Sequence, residues 1–272
     1  MNDDAPASLL IPTFVEMSDR RARVWRVGEG PPAVLLHGFG DAGSCWVGAA
    51  PLFSRRGYRV VAPDARGHGR TPLLANDEFT AGARFRDACA VMEALGIGRA
   101  LIVGHSMGAI TAMYVAARHR SHAGAVVLID PPLGDDEPSI ERDNLSFELW
   151  VEEVAAMSAE AAAVGCRRAN PEWTAEEVDA WVVSKQEMDR GVFRRPQSRY
   201  DGPWRAAMEA ISCPALVVAG QTEFGSLVGE GAGRWLDDAP NVEFVRIEGA
   251  GHSVHRDARD RFASVVAAFL DR

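Results

Sequence analysis

The chain has 272 residues, of which 47% are apolar and 25% charged, and its formal net charge is −9 at pH 7. This length and composition predict one globular unit with a large core. The acidic balance disfavours nucleic acid and anionic membranes as partners, because both attract basic surfaces. No apolar run reaches membrane-spanning length and the N-terminus lacks a signal-peptide pattern, so we expect a cytoplasmic protein. Scattered Cys and His residues predict no metal, and nothing indicates a cofactor.

The chain begins with two extended segments, near residues 10–17 and 21–27, which predict an antiparallel start to a sheet. A buried-type strand over 33–36 follows and ends at His37-Gly38-Phe39-Gly40. A glycine-rich loop directly after a central strand lets backbone N–H groups approach a ligand closely. We therefore predict that the Phe39 N–H is an oxyanion donor, with a plain strand-to-helix turn as the alternative.

Helices and strands then alternate along the chain. The pattern predicts a helix over 45–56, a strand over 58–61, a turn-rich loop over 63–70 and an amphipathic helix over 79–95. This alternation is typical of a doubly wound α/β fold, whose ligands lie at the carboxyl ends of parallel strands. His68 lies between glycines in the loop, and we interpret it as structural rather than as a base.

The pentapeptide Gly104-His105-Ser106-Met107-Gly108 is the most informative stretch of the chain. It lies between a strand-length apolar run, 99–103, and a segment of helical periodicity, 109–119. Glycines on both sides of Ser106 remove side chains that would clash where the backbone turns sharply. The sequence therefore predicts a nucleophilic serine at Ser106, with the Met107 N–H as a second oxyanion donor at the helix N-terminus.

The alternation lapses after a buried strand over 125–129 that ends at Asp130. Helices over 145–163 and 174–188 predict a helical cap inserted after the sixth strand. The predicted division is a core of residues 1–132 and 203–272 and a cap of residues 133–202.

Aromatic residues of this region indicate a pocket. Because a cap must cover something apolar, we expect some of its aromatic side chains to face the substrate. The predicted substrate-binding residues are Gly38, Trp46, Trp150 and Trp181. Five cap arginines are interpreted as a solvated face rather than as anion ligands: Arg167, Arg168, Arg194, Arg195 and Arg199.

The sheet resumes with strands over 215–219 and 242–247, which completes a predicted eight-stranded, mostly parallel sheet with helices on both faces. His252 follows the last strand in a glycine-flanked loop, before a C-terminal helix over 256–270. A loop in that position can fold back over the serine, so His252 is the candidate base. We expect His255 to pack nearby.

The order of these motifs resembles the α/β-hydrolase superfamily, in its carboxylesterase-like serine-hydrolase branch. The resemblance rests on His37-Gly38, Arg66-Gly67-His68-Gly69, the serine pentapeptide and Gly251-His252. It implies acyl transfer, in which His252 takes the proton of Ser106 and the serine attacks a carbonyl. The implied substrate is a small carboxylic ester, with lactone, thioester or carbon–carbon bond cleavage as variants. A small-ligand receptor that reuses the pocket is the alternative from another class.

The acid of the implied triad is ambiguous. Most of the superfamily would place it after the strand that follows the cap, which indicates Glu223. A smaller group carries an aspartate before the cap, and Asp130-Pro131-Pro132 looks like that arrangement. We favour Asp130, because a short carboxylate at a rigid strand end is better fixed for orienting an imidazole. The expected partner is a small molecule, and a homodimer is left open.

Overall fold

The computed structural model describes residues 10–134, 140–239 and 241–272. Its strands are β1 (Ile11–Glu16), β2 (Arg21–Val27), β3 (Pro32–Leu36), β4 (Arg59–Pro63), β5 (Ala100–His105), β6 (Ala123–Ile129), β7 (Ala215–Ala219) and β8 (Val242–Arg246). The α-helices are α1 (Ala50–Ser54), α2 (Ala81–Ala94), α3 (Met107–Arg118), α4 (Ile140–Ala156), α5 (Ala159–Ala169), α6 (Ala175–Glu187), α7 (Trp204–Glu209), α8 (Glu230–Asp238), α9 (Val254–Asp257) and α10 (Arg259–Leu270).

The eight strands form a single sheet in the order β1-β2-β4-β3-β5-β6-β7-β8. The strands β1, β2 and β4 pair antiparallel, and all pairs from β4 to β8 are parallel. The predicted doubly wound, mostly parallel sheet with an antiparallel start is therefore confirmed.

Both faces of the sheet are buried, which explains the continuous apolar runs of its central strands. In β3, Val34 and Leu36 pack in the layer that contains α2 and α3. Ala33 and Leu35 point to the opposite layer, which contains α1 and α10. This alternation follows from the two-residue period of a strand.

Between β6 and β7, where the sequence predicts an insertion, the described residues form α4, α5 and α6, and then α7 directly before β7. The helices α4 to α6 lie within the predicted cap. We call them the helical insertion. The predicted cap boundaries, 133 and 202, stay a prediction, and residues 135–139 lie outside the described residues. No helix in the described part of the chain combines the length and apolarity that a membrane crossing requires.

Three predicted helices are broken in the structure. The segment 45–56 forms a 3₁₀ turn over Gly43–Trp46 and then α1, which begins at Ala50 and has Pro51 in its first turn. The segment 145–163 divides into α4 and α5 because the Ser158 side chain accepts a hydrogen bond from the Ala161 N–H and starts a new helix. The C-terminal segment divides at Ala258, whose φ of −137° is not helical.

Candidate active site

The register of the central strands brings four predicted site segments to one edge of the sheet. Leu36 of β3 pairs with Gly104 of β5, and His105 pairs with Ile129 of β6. The residues that directly follow these strands therefore meet at their carboxyl ends, where doubly wound folds bind ligands. The loop after β8, which carries His252, reaches the same edge, and the Gln221 N–H donates to the Ala250 carbonyl there.

Ser106 has a strained backbone at the junction of β5 and α3. Its φ is +52° and its ψ is −117°, a backbone conformation that residues other than glycine rarely adopt. A Cβ on Gly104 would lie 2.2 Å from the Gly108 carbonyl oxygen, and one on Gly108 would lie 2.0 Å from the Leu36 carbonyl oxygen. The two glycines are thus required by close backbone approach on both sides of the serine.

His252 and Asp130 form a hydrogen-bonded pair. The His252 Nδ1 lies 2.6 Å from the Asp130 Oδ2, and the Asp130 side chain is fully buried. The carboxylate also accepts hydrogen bonds from the Leu227 N–H at 2.9 Å and from the Ser226 hydroxyl. A carboxylate with these donors holds the proton of His252 on Nδ1 and leaves Nε2 free to accept another.

Glu223 lies elsewhere. Its side chain is exposed, and its oxygens accept hydrogen bonds from Gln221 Nε2 at 3.0 Å and Thr222 Oγ1 at 3.5 Å. Of the two acids that the sequence analysis weighed, the structure brings Asp130 to His252 and leaves Glu223 on the surface.

The two residues that are predicted to supply oxyanion donors line a common cavity. Met107 is the first residue of α3, so its N–H belongs to the helix turn that has no intrahelical acceptor. The Phe39 N–H, in the loop after β3, has no hydrogen-bond acceptor within the described residues. Both residues line the cavity together with Ser106 and His252.

Two buried histidines support the loop that carries Phe39. The Ala65 N–H donates to the Nε2 of His37, so the proton of this ring is on Nδ1, which donates to the Gly38 carbonyl. His68 accepts from the Gly40 N–H at 3.1 Å through its Nε2. Burial, aided by the neighbouring His37, lowers the pKa of His68 to about 3, so this ring is neutral at physiological pH. This contact agrees with a structural role for His68.

A buried charge network joins the helical insertion to this loop, and the sequence analysis missed it. Lys185 of α6 donates to the Gly40 carbonyl at 2.7 Å and to the Asp41 carboxylate at 3.2 Å. Arg256, four residues after His252, donates to the other oxygen of Asp41 at 2.7 Å. Burial opposes ionisation of Asp41, yet the charges of Arg256 and Lys185 hold its pKa well below the usual value. Nothing in the local pattern distinguishes Lys185 from a surface lysine.

Two further histidines lie beneath His252. The Nε2 of His105 is 3.0 Å from the His252 carbonyl oxygen, and the two rings are 4.7 Å apart. Burial lowers the pKa of His105 to about 3, and burial also lowers the pKa of His255 well below its ordinary value. Both rings are therefore neutral packing groups at physiological pH, as expected for His255.

The cavity above Ser106 has a volume of about 530 Å³. The predicted pocket residues Gly38, Trp150 and Trp181 line it. Trp46 does not: it is 1% exposed and stacks within the core, 5.0 Å from the His255 ring. The structure thus corrects the prediction for Trp46, because the turn that carries it packs its indole against α9 instead of opening it to the cavity.

A larger cavity, of about 1110 Å³, lies at the opposite edge of the sheet. It is bordered by the amino ends of β3, β5, β6 and β7, including Pro32, Ala100 and Ala215. None of the predicted site residues borders it. In the described residues, no group of three or more His, Cys, Asp or Glu side chains is placed to hold a metal ion.

Comparison with known proteins identifies the class. Residues 33–265 match the alpha/beta hydrolase family. The chain belongs to that family, and its class is that of an alpha/beta hydrolase.

Three relatives illustrate the range of the family. This chain is 34% identical to a putative non-heme haloperoxidase of Mycobacterium phage D29, over 46% of this chain and 44% of that relative. The chain is 30% identical to lipase LipV of Mycobacterium tuberculosis, over 70% of this chain and 68% of that relative. A thioesterase domain from the curacin biosynthetic pathway has the same fold, with a TM-score of 0.74, 22% identity and coverage of 95% of this chain and 99% of that one. The match thus spans less than half of the phage relative.

Proposed function

We propose that this protein is a serine hydrolase that cleaves small carboxylic esters through an acyl-enzyme intermediate. Ser106 is the nucleophile, His252 the general base and then acid, and Asp130 the carboxylate that orients the imidazole. The N–H groups of Phe39 and Met107 stabilise the oxyanion of the tetrahedral intermediate. The observation that carries the proposal is that Ser106, His252, Phe39 and Met107 line one cavity, while the buried Asp130 is hydrogen-bonded to His252.

The chemistry follows from this arrangement. The Ser106 hydroxyl loses its proton to His252 Nε2 as its oxygen attacks the substrate carbonyl. The imidazolium then gives that proton to the leaving alcohol, and a water molecule repeats the sequence to release the acid. Asp130 remains ionised throughout and stabilises the imidazolium. The relatives support an acyl substrate, since LipV is named a lipase and the structural neighbour a thioesterase domain.

The test is hydrolysis of p-nitrophenyl butyrate by the wild type, Ser106→Ala and Ser121→Ala. Ser121 is exposed in a loop and serves as the matched control. We expect Ser106→Ala to lose on the order of 10⁴-fold or more in kcat with an unchanged circular dichroism spectrum, and Ser121→Ala to keep wild-type activity.

A fluorophosphonate probe provides a second readout, since it should label the wild type at Ser106 and leave Ser106→Ala unlabelled. Near-normal turnover by Ser106→Ala would contradict the serine mechanism. A wild type that binds the ester without turnover or labelling would instead support the receptor alternative.

A further inference from the structure

The cavity above Ser106 is cationic, although the chain as a whole carries a net charge of −9. Asp41 is its one carboxylate among the described lining residues. Four basic side chains also line it: Arg84, Lys185, Arg199 and Arg256. Four cations against one carboxylate around a pocket of an acidic protein favour a negatively charged ligand.

Two of the four cations are already neutralised or engaged. Lys185 and Arg256 share the Asp41 carboxylate. Lys185 also donates to the Gly40 carbonyl, and the Arg256 guanidinium lies 4.6 Å from the centre of the Trp173 ring. These contacts give both side chains a structural task, so they are not the groups to which we assign ligand binding.

Arg84 of α2 is a buried cation that forms no ion pair with a carboxylate of the described residues. It is 6% exposed and donates to the carbonyl oxygens of Phe79 at 2.6 Å and Ser198 at 3.2 Å. Its Nε has no partner within the described residues. Burial, with repulsion from Arg66, lowers the pKa of Arg84 to about 10, which still leaves it protonated at neutral pH. Because burying a charge is costly and the hydrogen-bond acceptors of this one among the described residues are backbone carbonyls, its position beside the cavity favours an anion there.

Arg199 adds a second guanidinium on the same side of the cavity. It follows Ser198, whose carbonyl accepts from Arg84. Arg199 is half-buried, lines the cavity, and forms no hydrogen bond or ion pair with any described residue. The sequence analysis interpreted this arginine as part of a solvated face. Its position in the structure leaves the side chain free to bind a ligand.

We propose that the substrate carries a carboxylate away from the scissile bond, that Arg199 binds this carboxylate, and that the buried charge of Arg84 strengthens the attraction. The proposal rests on the serine-hydrolase function proposed above. A guanidinium is suited to this role because its planar fork of N–H donors matches the two oxygens of a carboxylate. Trp150 and Trp181, which also line the cavity, would contact the apolar remainder of the substrate.

The experiment compares isosteric esters that differ in one charge. One pair carries the difference on the acyl side, p-nitrophenyl hydrogen adipate against p-nitrophenyl adipamate. The other carries it on the leaving group, p-carboxyphenyl against p-carbamoylphenyl butyrate. We expect the wild type to favour the acid in at least one pair by about 10- to 100-fold in kcat/KM, as for hydrogen bonds to a charged group. We expect most of the difference in KM.

Arg199→Gln should lower kcat/KM for the acid far more than for its neutral isostere, and so abolish this preference. Arg168→Gln is the matched control, because Arg168 is an exposed arginine of α5 that does not line the cavity and its loss changes the net charge equally. Arg84→Gln should reduce the preference as well. Because Arg84 also donates to two backbone carbonyls, the Tm of Arg84→Gln must be measured together with its kinetics. If Arg84→Gln does not fold, Arg199→Gln alone tests the carboxylate proposal.

Binding of adipate and of adipamide gives a readout that needs no turnover. Adipate should raise the Tm of the wild type and of Arg168→Gln, but not that of Arg199→Gln, and adipamide should raise none of them. Hydrolysis of neutral esters with no preference in either pair would overturn the carboxylate proposal and leave the serine mechanism intact. If hydrolysis were absent or did not depend on Ser106 while adipate still bound through Arg199, only the serine mechanism would be overturned. If adipate shifted the Tm of all variants equally, the carboxylate site would be overturned.

Discussion

Asp130→Asn tests the pairing on which the proposed mechanism depends most. The Asp130 Oδ2 accepts from His252 Nδ1 at 2.6 Å and from the Leu227 N–H at 2.9 Å. The Oδ1 accepts from the Ser226 hydroxyl and, at 3.4 Å, from the Gly220 N–H. All four partners are donors, whereas an amide offers one acceptor oxygen and one donating NH₂ group. The amide NH₂ group must therefore take the place of either Oδ2, which faces His252, or Oδ1, which faces Ser226.

Each orientation of the amide has its own cost. If its NH₂ group faces His252, it donates to Nδ1, the ring proton moves to Nε2, and His252 cannot accept the Ser106 proton. That tautomer costs about 10⁴-fold in kcat. If the NH₂ group faces Ser226, the hydroxyl can rotate to accept it and the tautomer is kept. Only the charge that stabilises the imidazolium is then lost, and we expect a smaller loss of kcat than from the wrong tautomer.

The double variant Asp130→Asn with Ser226→Ala separates the two cases. Removing the hydroxyl leaves the NH₂ group without an acceptor on the Oδ1 side and turns it toward His252. We expect the double variant to be slower than Asp130→Asn, and Ser226→Ala alone to be affected least.

The assay is kcat for p-nitrophenyl butyrate with Glu223→Gln as the control, after circular dichroism and Tm have shown each variant folded. Glu223 is exposed and its contacts are local, so we expect Glu223→Gln to retain near-wild-type kcat. The reasoning would be refuted if Glu223→Gln were the crippled enzyme and Asp130→Asn nearly normal.

Three further predictions concern the surroundings of the serine. Gly108→Ala should abolish activity or folding, because its Cβ would lie 2.0 Å from a backbone carbonyl oxygen. Gly165→Ala is the control and should do neither, because the space at that position is open. Activity and Tm of both variants test this. Lys185→Met should lower kcat by about 10-fold or more with less effect on KM, because the Phe39 loop loses its buried contact with α6; an unchanged kcat would exclude this positioning role. The free energy of unfolding should fall from pH 6.5 toward pH 3, because the unfolded chain binds a proton there that the folded His68, with its pKa of about 3, does not. In denaturant titrations at pH 7 and 5, the free energy of unfolding of His68→Asn should fall less than that of the wild type, by up to about 1.4 kcal/mol per pH unit. An equal fall in the two proteins would contradict this prediction.

The residues around the proposed nucleophile differ in how far the sequence could predict them. Ser106 was predictable because the glycines beside it restrict the local backbone, and that restriction is written in five consecutive residues. Trp46 was misjudged because an aromatic residue after a site loop can turn to the core or to the cavity, and only packing decides which. Arg199 lies outside any helix or strand, in a segment before α7, and no periodic pattern there indicates whether its side chain faces solvent or the cavity.

The sequence by itself determined the alternation of strands and helices and the strand-to-helix turn at Ser106, because hydrophobic period and glycine placement are local properties of the chain. Only the tertiary structure decided that Asp130, and not Glu223, contacts His252 across 122 residues of sequence. It also decided that Lys185 reaches the Gly40 carbonyl across 145 residues. Hydrogen bonds and ion pairs between distant residues depend on which strand ends are brought together and on which charges are removed from water, and neither is a property of any short segment.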